Sequence, residues 1–266
     1  MTLSKEALLQ ALGFRFGING THAARTVMLD DLRLLLAHVP ADAVRADYAS
    51  AIVEANVLAK PTRKSRELAL RHLSALYALD PSNTIFRAMR RLWAFSESAQ
   101  PLLALGVALA RDPLLRRSRA FVLNRPPGSP IAREETEAWL AAAYPDRFSP
   151  ASLKSFSQNV LGSWTAAGLL QGKVKKTRVL PSPSPEAAAL LLFLGYLEGR
   201  TGQRLFSSDW MELFGGSPDE LEALSQSASH RGLLVFMNAG GVKEIRFPGF
   251  LTPEEERMRQ EVSHVV

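Results

Sequence analysis

The residues with the plainest chemistry form a run of cations, Lys173-Val174-Lys175-Lys176-Thr177-Arg178, four positive charges in six positions. At that density lysine and arginine act electrostatically: each can displace a counterion condensed on a phosphate backbone and add affinity without reading sequence. Residues suited to bond-making chemistry are scattered by comparison. The five histidines (His22, His38, His72, His230 and His264) stand far apart, with no partner at a metal-ligating spacing such as H-x-x-x-H. The carboxylate pairs Asp30-Asp31 and Glu134-Glu135 are adjacent in sequence, and adjacent helical positions do not face each other. No Gly-x-Ser-x-Gly occurs, and Asp80, Glu97 and Asp112 are too dispersed to build a nuclease centre. Gly13, Gly17 and Gly20 precede Thr21, an arrangement that can cradle phosphate. Their spacing matches neither a Walker loop nor a dinucleotide fingerprint, and a helix-capping turn is the simpler account. The expectation is a binding protein rather than an enzyme, with no cofactor and no metal.

Charge distribution points the same way. The 266-residue chain carries a formal net charge of +6. Between Asn56 and Arg125 thirteen Lys or Arg face four acids, a surplus of nine, whereas Glu254, Glu255, Glu256 and Glu261 make the C-terminal tail acidic. A cationic middle suggests a polyanionic partner; a solvated surface with an arginine excess is the plainer alternative. There is no cysteine, which excludes disulfides, thiolate nucleophiles and cysteine zinc sites and suits a reducing cytoplasm. The opening MTLSKEALLQALGF does not read as a signal peptide. The apolar stretches 101–110 and 187–197 fall well short of the roughly 20 residues that span a bilayer, so they read as core helices and no membrane partner is expected.

The elements that must position these charges are mainly α-helical. Thr21 reads as the N-cap of a helix ending near Pro40, and Ala49–Leu58 as a short helix broken by Pro61. A helix over about 62–79 puts Leu68, Leu73, Leu76 and Tyr77 on one side and Arg63, Lys64, Glu67 and Arg71 on the other. The next segment turns Ile85, Met89, Leu92 and Trp93 inward and Arg87, Arg90 and Arg91 outward, and two further helical pieces flank Pro113. Residues 1–125 thus read as a basic helical bundle. NRPPGSP, at 124–130, reads as a linker, with a new unit starting at Ile131.

That unit, 131–181, has the order of a winged helix-turn-helix. A helix over 133–143 is followed by a Tyr-Pro-Asp-Arg-Phe turn. A second helix starts at Pro150 behind the N-cap Ser149 and runs to about Leu170. On it Leu153, Phe156, Val160, Leu161 and Trp164 repeat at helical spacing and should face inward. Ser152, Lys154, Ser155, Gln158, Asn159 and Ser163 are left outside, where Gln and Asn could bond adenine and Lys guanine. Lys173, Lys175, Lys176 and Arg178 would then lie on the first wing strand, held to the core by Val174 and Val179. A second wing strand is hard to find, because PSPSP at 181–185 cannot pair as a strand interior. A third unit, 186–252, opens on a buried helix and a short helix capped at Ser207 or Ser208. A helix follows in a Ser217/Glu220 capping box, and the unit closes on a β-hairpin around Asn-Ala-Gly-Gly. Its low charge favours core packing or protein contact. Residues 253–266 form the acidic tail.

Four stretches together, NVLAKPTRKSRELALRHL, FRAMRRLW, the winged unit and LLFLGYLEG, resemble the BrxA family, the small A protein of BREX phage-defence systems. The resemblance covers most of the chain and rests on order and character. It implies a helical DNA-binding protein without known catalytic activity, encoded beside a methyltransferase, a PglZ-type phosphatase and an ATPase. It also implies phosphate contacts at Asn56, Leu58, Lys60, Thr62 and Ser65. The expected interface is therefore Lys60, Thr62, Arg63, Lys64, Ser65 and Arg71 of the bundle, with the outer face of the second helix and the wing cations. Double-stranded DNA is the expected partner, with other phage-defence subunits. A protein-docking scaffold and an RNA-binding bundle are the alternatives.

Overall fold

The computed structural model describes residues 3–264, so the first two residues of the expected bundle and the last two of the expected tail lie outside the described residues. The fold is mainly α-helical with two small antiparallel sheets. In chain order the elements are α1 (Lys5–Ala11), α2 (Leu29–His38), α3 (Arg45–Val53), α4 (Arg63–Tyr77), α5 (Thr84–Trp93), α6 (Gln100–Arg111) and α7 (Pro113–Leu123). Then come β1 (Pro130–Ile131), α8 (Arg133–Ala143), α9 (Pro150–Ala166), β2 (Leu170–Gln171) and β3 (Lys176–Arg178). The chain finishes with α10 (Pro185–Leu197), α11 (Gln203–Phe206), α12 (Pro218–His230), β4 (Val235–Ala239), β5 (Val242–Arg246) and α13 (Pro253–His264).

The two most apolar stretches lie at the centre. From Ala187 to Leu194 every residue of α10 is fully buried, as are Leu103–Ala110 of α6 apart from the glycine among them, which packs on the α10 leucines. A helix that is hydrophobic all round has to be enclosed by others. The α10 helix is enclosed by α5, α6 and α12, and α6 by α4, α5, α7 and α10; no helix among the described residues is long and apolar enough to cross a membrane. One continuous core runs from Leu8 to Val262 through all the expected units; a smaller cluster of Leu114, Leu140, Tyr144 and Phe156 belongs to the winged unit.

Most helix starts follow from capping chemistry. Thr62, Asn83, Asp112, Ser149, Ser184 and Ser217 each accept a backbone N–H from their own first turn, with Pro at the first helical position after four of them. Several expectations are corrected. No helix starts at Thr21: Thr21–Ala23 is a single 3₁₀ turn, and α2 begins only after Met28, which is left-handed at φ 50°. The helix expected over 49–58 is α3, which ends at Val53, well before Pro61. The segment expected to cap at Ser207 or Ser208 is a 3₁₀ turn at Met211–Leu213. Arg87 and Arg90 are half-buried and engaged within the protein: Arg87 pairs with Glu255 at 2.5 Å, and Arg90 donates to the carbonyls of Leu36 and Val39. The acidic tail is helix α13 from Pro253 to His264, docked through buried Glu255, Arg259 and Val262. The expected hairpin is present: β4 and β5 pair in register from Val235↔Arg246 to Ala239↔Val242, around Gly240-Gly241, both at positive φ.

Candidate nucleic-acid interface

The winged unit is more complete than its sequence suggests. Strand β1 pairs with β3 at Pro130↔Thr177 and Ile131↔Lys176, and β2 pairs with β3 at Leu170↔Arg178 and Gln171↔Thr177. The missing wing strand thus precedes the cations: Leu170–Gln171 goes up, Gly172–Lys175 turns, and Lys176–Arg178 comes down. Residues 124–129 connect α7 to a strand of the same small sheet, and the order helix–strand–helix–helix–strand–strand starts at α7. The α9 helix ends at Ala166, not Leu170, since residues 170–171 are taken by β2. Gly172, at φ +101°, turns so tightly that a side chain there would strike the Lys175 carbonyl.

The α9 helix is seated by Phe156, Val160, Leu161 and Trp164, whose indole N–H donates to Ser118 Oγ on α7 at 2.8 Å. Lys154, Ser155 and Gln158 point to solvent, and Ser152 is half-buried, its hydroxyl bonded to Ser149. At the wing tip Lys173 and Lys175 are exposed and have no acidic partner among the described residues. Lys176 donates to the Gly172 carbonyl at 2.6 Å. Gln158, Lys173, Lys175 and Lys176 line one groove of about 790 Å³ between α9 and the wing; its acid, Glu134, is paired with Arg133 at 2.7 Å.

Four expected positions differ. Arg178 is 3 % exposed and its guanidinium donates to the carbonyls of Leu169 and Val179, so it braces the wing and is not available to a phosphate. Burial pushes its pKa down. Val174, expected to hold the strand to the core, sits at the tip and is 92 % exposed. Asn159 turns inward, its amide donating to the His22 carbonyl at 3.0 Å. Ser163, expected outside, is fully buried.

In the bundle much of the expected stretch is engaged within the protein. Lys60 pairs with Asp31 at 2.8 Å, and Asn56 closes the 56–60 turn by bonding both backbone groups of Lys60. Leu58 is buried. Thr62 and Ser65 form a capping box, and Arg63 is held between Glu54 and Glu67. Lys64 and Arg71 are exposed without an acidic partner. The stretch lies beside α9: Gly162 of α9 lines the wing groove and packs on Thr26, and Thr26 lines a second cavity, of about 650 Å³, with Arg25, Lys60, Ser65 and Ala166.

Behind α9 the fold assembles a Ser–His–Asp constellation that no spacing in the sequence announces. His22 Nδ1 lies 3.0 Å from Asp112 Oδ2, in a contact too bent for a hydrogen bond, and His22 Nε2 lies 2.8 Å from Ser163 Oγ. All three side chains are buried to 1 % exposure or less. The Ser163 hydroxyl donates to the Asn159 carbonyl at 2.8 Å and accepts the Val27 N–H at 3.0 Å, so with His22 its bonding capacity is filled. Burial would raise the Asp112 pKa, but the adjacent His22 ring, with the backbone N–H groups of Leu115 and His22, holds it below the usual carboxylate range. Tyr77 closes the node by donating to the Val27 carbonyl. Sealed, with Ser163 fully bonded, this arrangement ties the 20–27 loop to α7 and α9.

No family model matches the chain, and no curated protein matches it. Among solved structures, a crystal structure of SspB is similar over 97 % of this chain and 100 % of that chain, with a TM-score of 0.54 and 11 % sequence identity. At that identity the likeness concerns the fold, and it extends over the whole chain rather than the winged unit alone.

Proposed function

We propose that this protein binds duplex DNA through the face where α9 meets the β2–β3 wing, as a non-catalytic subunit of a BREX-type phage-defence system working in the cytoplasm. One observation carries the reading: Gln158 of α9 and Lys173, Lys175 and Lys176 of the wing line the same groove. A helix presented beside a cationic wing suits a duplex, with the helix in the major groove and the wing along the phosphates. The bundle cations Lys64 and Arg71, on the flank of α9, would extend the contact. Supported mainly by phosphate contacts, binding would show weak sequence preference and steep salt dependence. The test is affinity for a labelled 20-base-pair duplex measured at several salt concentrations. A flat log–log slope overturns the proposal, and tighter binding to RNA of the same length would redirect it to RNA.

A second reading, a docking scaffold, is favoured by the β4–β5 hairpin. Its outward face exposes Val235, Met237 and Val242 beside a Glu244–Arg246 ion pair, a mixed surface with its charges paired rather than a cationic one. Stable co-purification of a partner without any DNA shift, lost on changing Met237 and Val242 to Ser, would favour that reading.

A further inference from the structure

Within the bundle lies a smaller cavity of about 260 Å³, lined by Arg15, Asn19, Gly20, Thr21, Arg71, His72 and Arg111 among others. We infer that this cavity is a site for a phosphate monoester, held by the guanidinium groups of Arg15, Arg71 and Arg111. The inference rests on this cavity alone and holds whether or not the wing binds DNA.

Arg111 is the informative residue. It is 9 % exposed, has no carboxylate partner, and its Nε has no hydrogen-bond partner. It donates to the Gly13 carbonyl at 2.6 Å, with a marginal 3.5 Å approach to the Ser74 carbonyl. A buried cation normally takes a counter-charge, because burial penalises the charged form. Burial, with the charge of Arg15, lowers the Arg111 pKa to about 10. The other walls add positive charge. Arg15 gives one bond to the Ala75 carbonyl at 3.2 Å, and Arg71 is exposed at the mouth without an acidic partner among the described residues. His72 reports the same field: burial first, then Arg25 and Arg71, lower its pKa. Arg147, on the turn between α8 and α9, reaches Asn19 Oδ1 at 2.6 Å. The one nearby carboxylate, Asp112, does not line the cavity, and its oxygens are taken by His22 and Leu115.

The site therefore supplies one buried and two exposed cationic donors and no acid among its lining residues, the composition that recognises a phosphate group. Its volume, just under the roughly 300 Å³ at which drug-sized pockets begin, suits a phosphate or a mononucleotide rather than a larger ligand. The phosphate could belong to a free mononucleotide or to the 5′ end of a strand.

The experiment uses the full chain, with thermal shift and calorimetry against inorganic phosphate, deoxyadenosine 5′-monophosphate and, as the phosphate-free control, deoxyadenosine. Blunt duplexes ending in 5′-phosphate or 5′-hydroxyl form the second arm. Phosphate-bearing probes are expected to raise the melting temperature and deoxyadenosine to leave it unchanged. Arg71→Ala, at an exposed position, should weaken binding roughly tenfold, the size of one charge-assisted hydrogen bond. A Lys173/Lys175/Lys176→Ala variant should bind inorganic phosphate and the mononucleotide as tightly as the parent, which separates this site from the wing. A preference for 5′-phosphate duplexes without free-nucleotide binding would identify a strand end as the source. The inference is overturned if no phosphate probe binds at millimolar concentration and the two duplexes bind alike, or if an Arg15→Ala/Arg71→Ala variant binds every probe as the parent does; Arg111 would then serve only to tie Gly13 to α4.

Discussion

Replacing Lys173, Lys175 and Lys176 by Ala removes three wing cations that lack acidic partners, while Arg178, turned inward, stays in place. Each cation that neutralises a phosphate contributes about 0.9 to the slope of log affinity against log salt. The triple variant should therefore lose a slope of about 2.7 if all three touch phosphate, and nearer 2 if Lys176 remains on the Gly172 carbonyl. Because the contribution extrapolates to zero near 1 M salt, a 2.7 slope change corresponds to a loss of roughly 500-fold at 0.1 M. The assay is fluorescence anisotropy with a labelled duplex from low to moderate salt, with circular dichroism to show that the fold persists, as exposed lysines without acidic partners allow. Arg178→Ala is the contrast. It removes the donor to the Leu169 and Val179 carbonyls, so it should cost about 1–3 kcal/mol of stability. If the triple variant binds DNA with an unchanged slope, the wing is not on the phosphates and the reasoning fails.

Other consequences concern the scaffold behind the interface. Ser163→Ala strands the Val27 N–H and His22 Nε2 in a sealed site and should cost about 2–5 kcal/mol by urea denaturation; a loss under about 0.5 kcal/mol would show that the node is not a lock. Gly172→Ala forces a side chain against the Lys175 carbonyl at positive φ. It should distort the wing, lowering DNA affinity while leaving the melting temperature within a few degrees; unchanged affinity would count against the wing's role. Asp112 and Glu255 are both held below the usual carboxylate range although burial opposes it, by His22 in one case and by Arg87, Thr252 and Thr84 in the other. Depressed carboxylates contribute stability that is complete above their unfolded pKa, about 4, and lost as pH falls through the lower folded value. The protein should therefore destabilise in acid below about pH 4. Glu255→Gln should flatten that pH dependence, and an identical profile in both proteins would refute the assignment.

The sequence was most informative where interactions are local. Caps such as Ser149 and Ser217, the prolines behind them and the apolar spacing of α4, α5 and α9 are decided within a few residues, and helices α9 and α12 start where those signals put them. The second wing strand was not legible because Leu170–Gln171 is only two residues long and owes its conformation to β3 across the ladder. The interface residues divide in the same manner. Lys173 and Lys175 read correctly as exposed cations because a turn displays whatever it carries. Arg178 and Val174 exchanged their expected positions once the hairpin turned at Gly172–Lys175 instead of continuing as a strand.

The chain's own pattern determined the mainly helical class, the central burial of α6 and α10 and the concentration of positive charge in the middle of the sequence, since periodicity and composition are properties of short windows. Tertiary structure alone decided which cations are spent: Lys60 on Asp31, Arg63 on two glutamates, Arg87 on Glu255. It also decided that His22, Asp112 and Ser163 meet, across separations of 90 and 141 residues. Charge pairing and buried polar contacts depend on distance in space, which a linear spacing of residues does not encode until the core has brought the helices together.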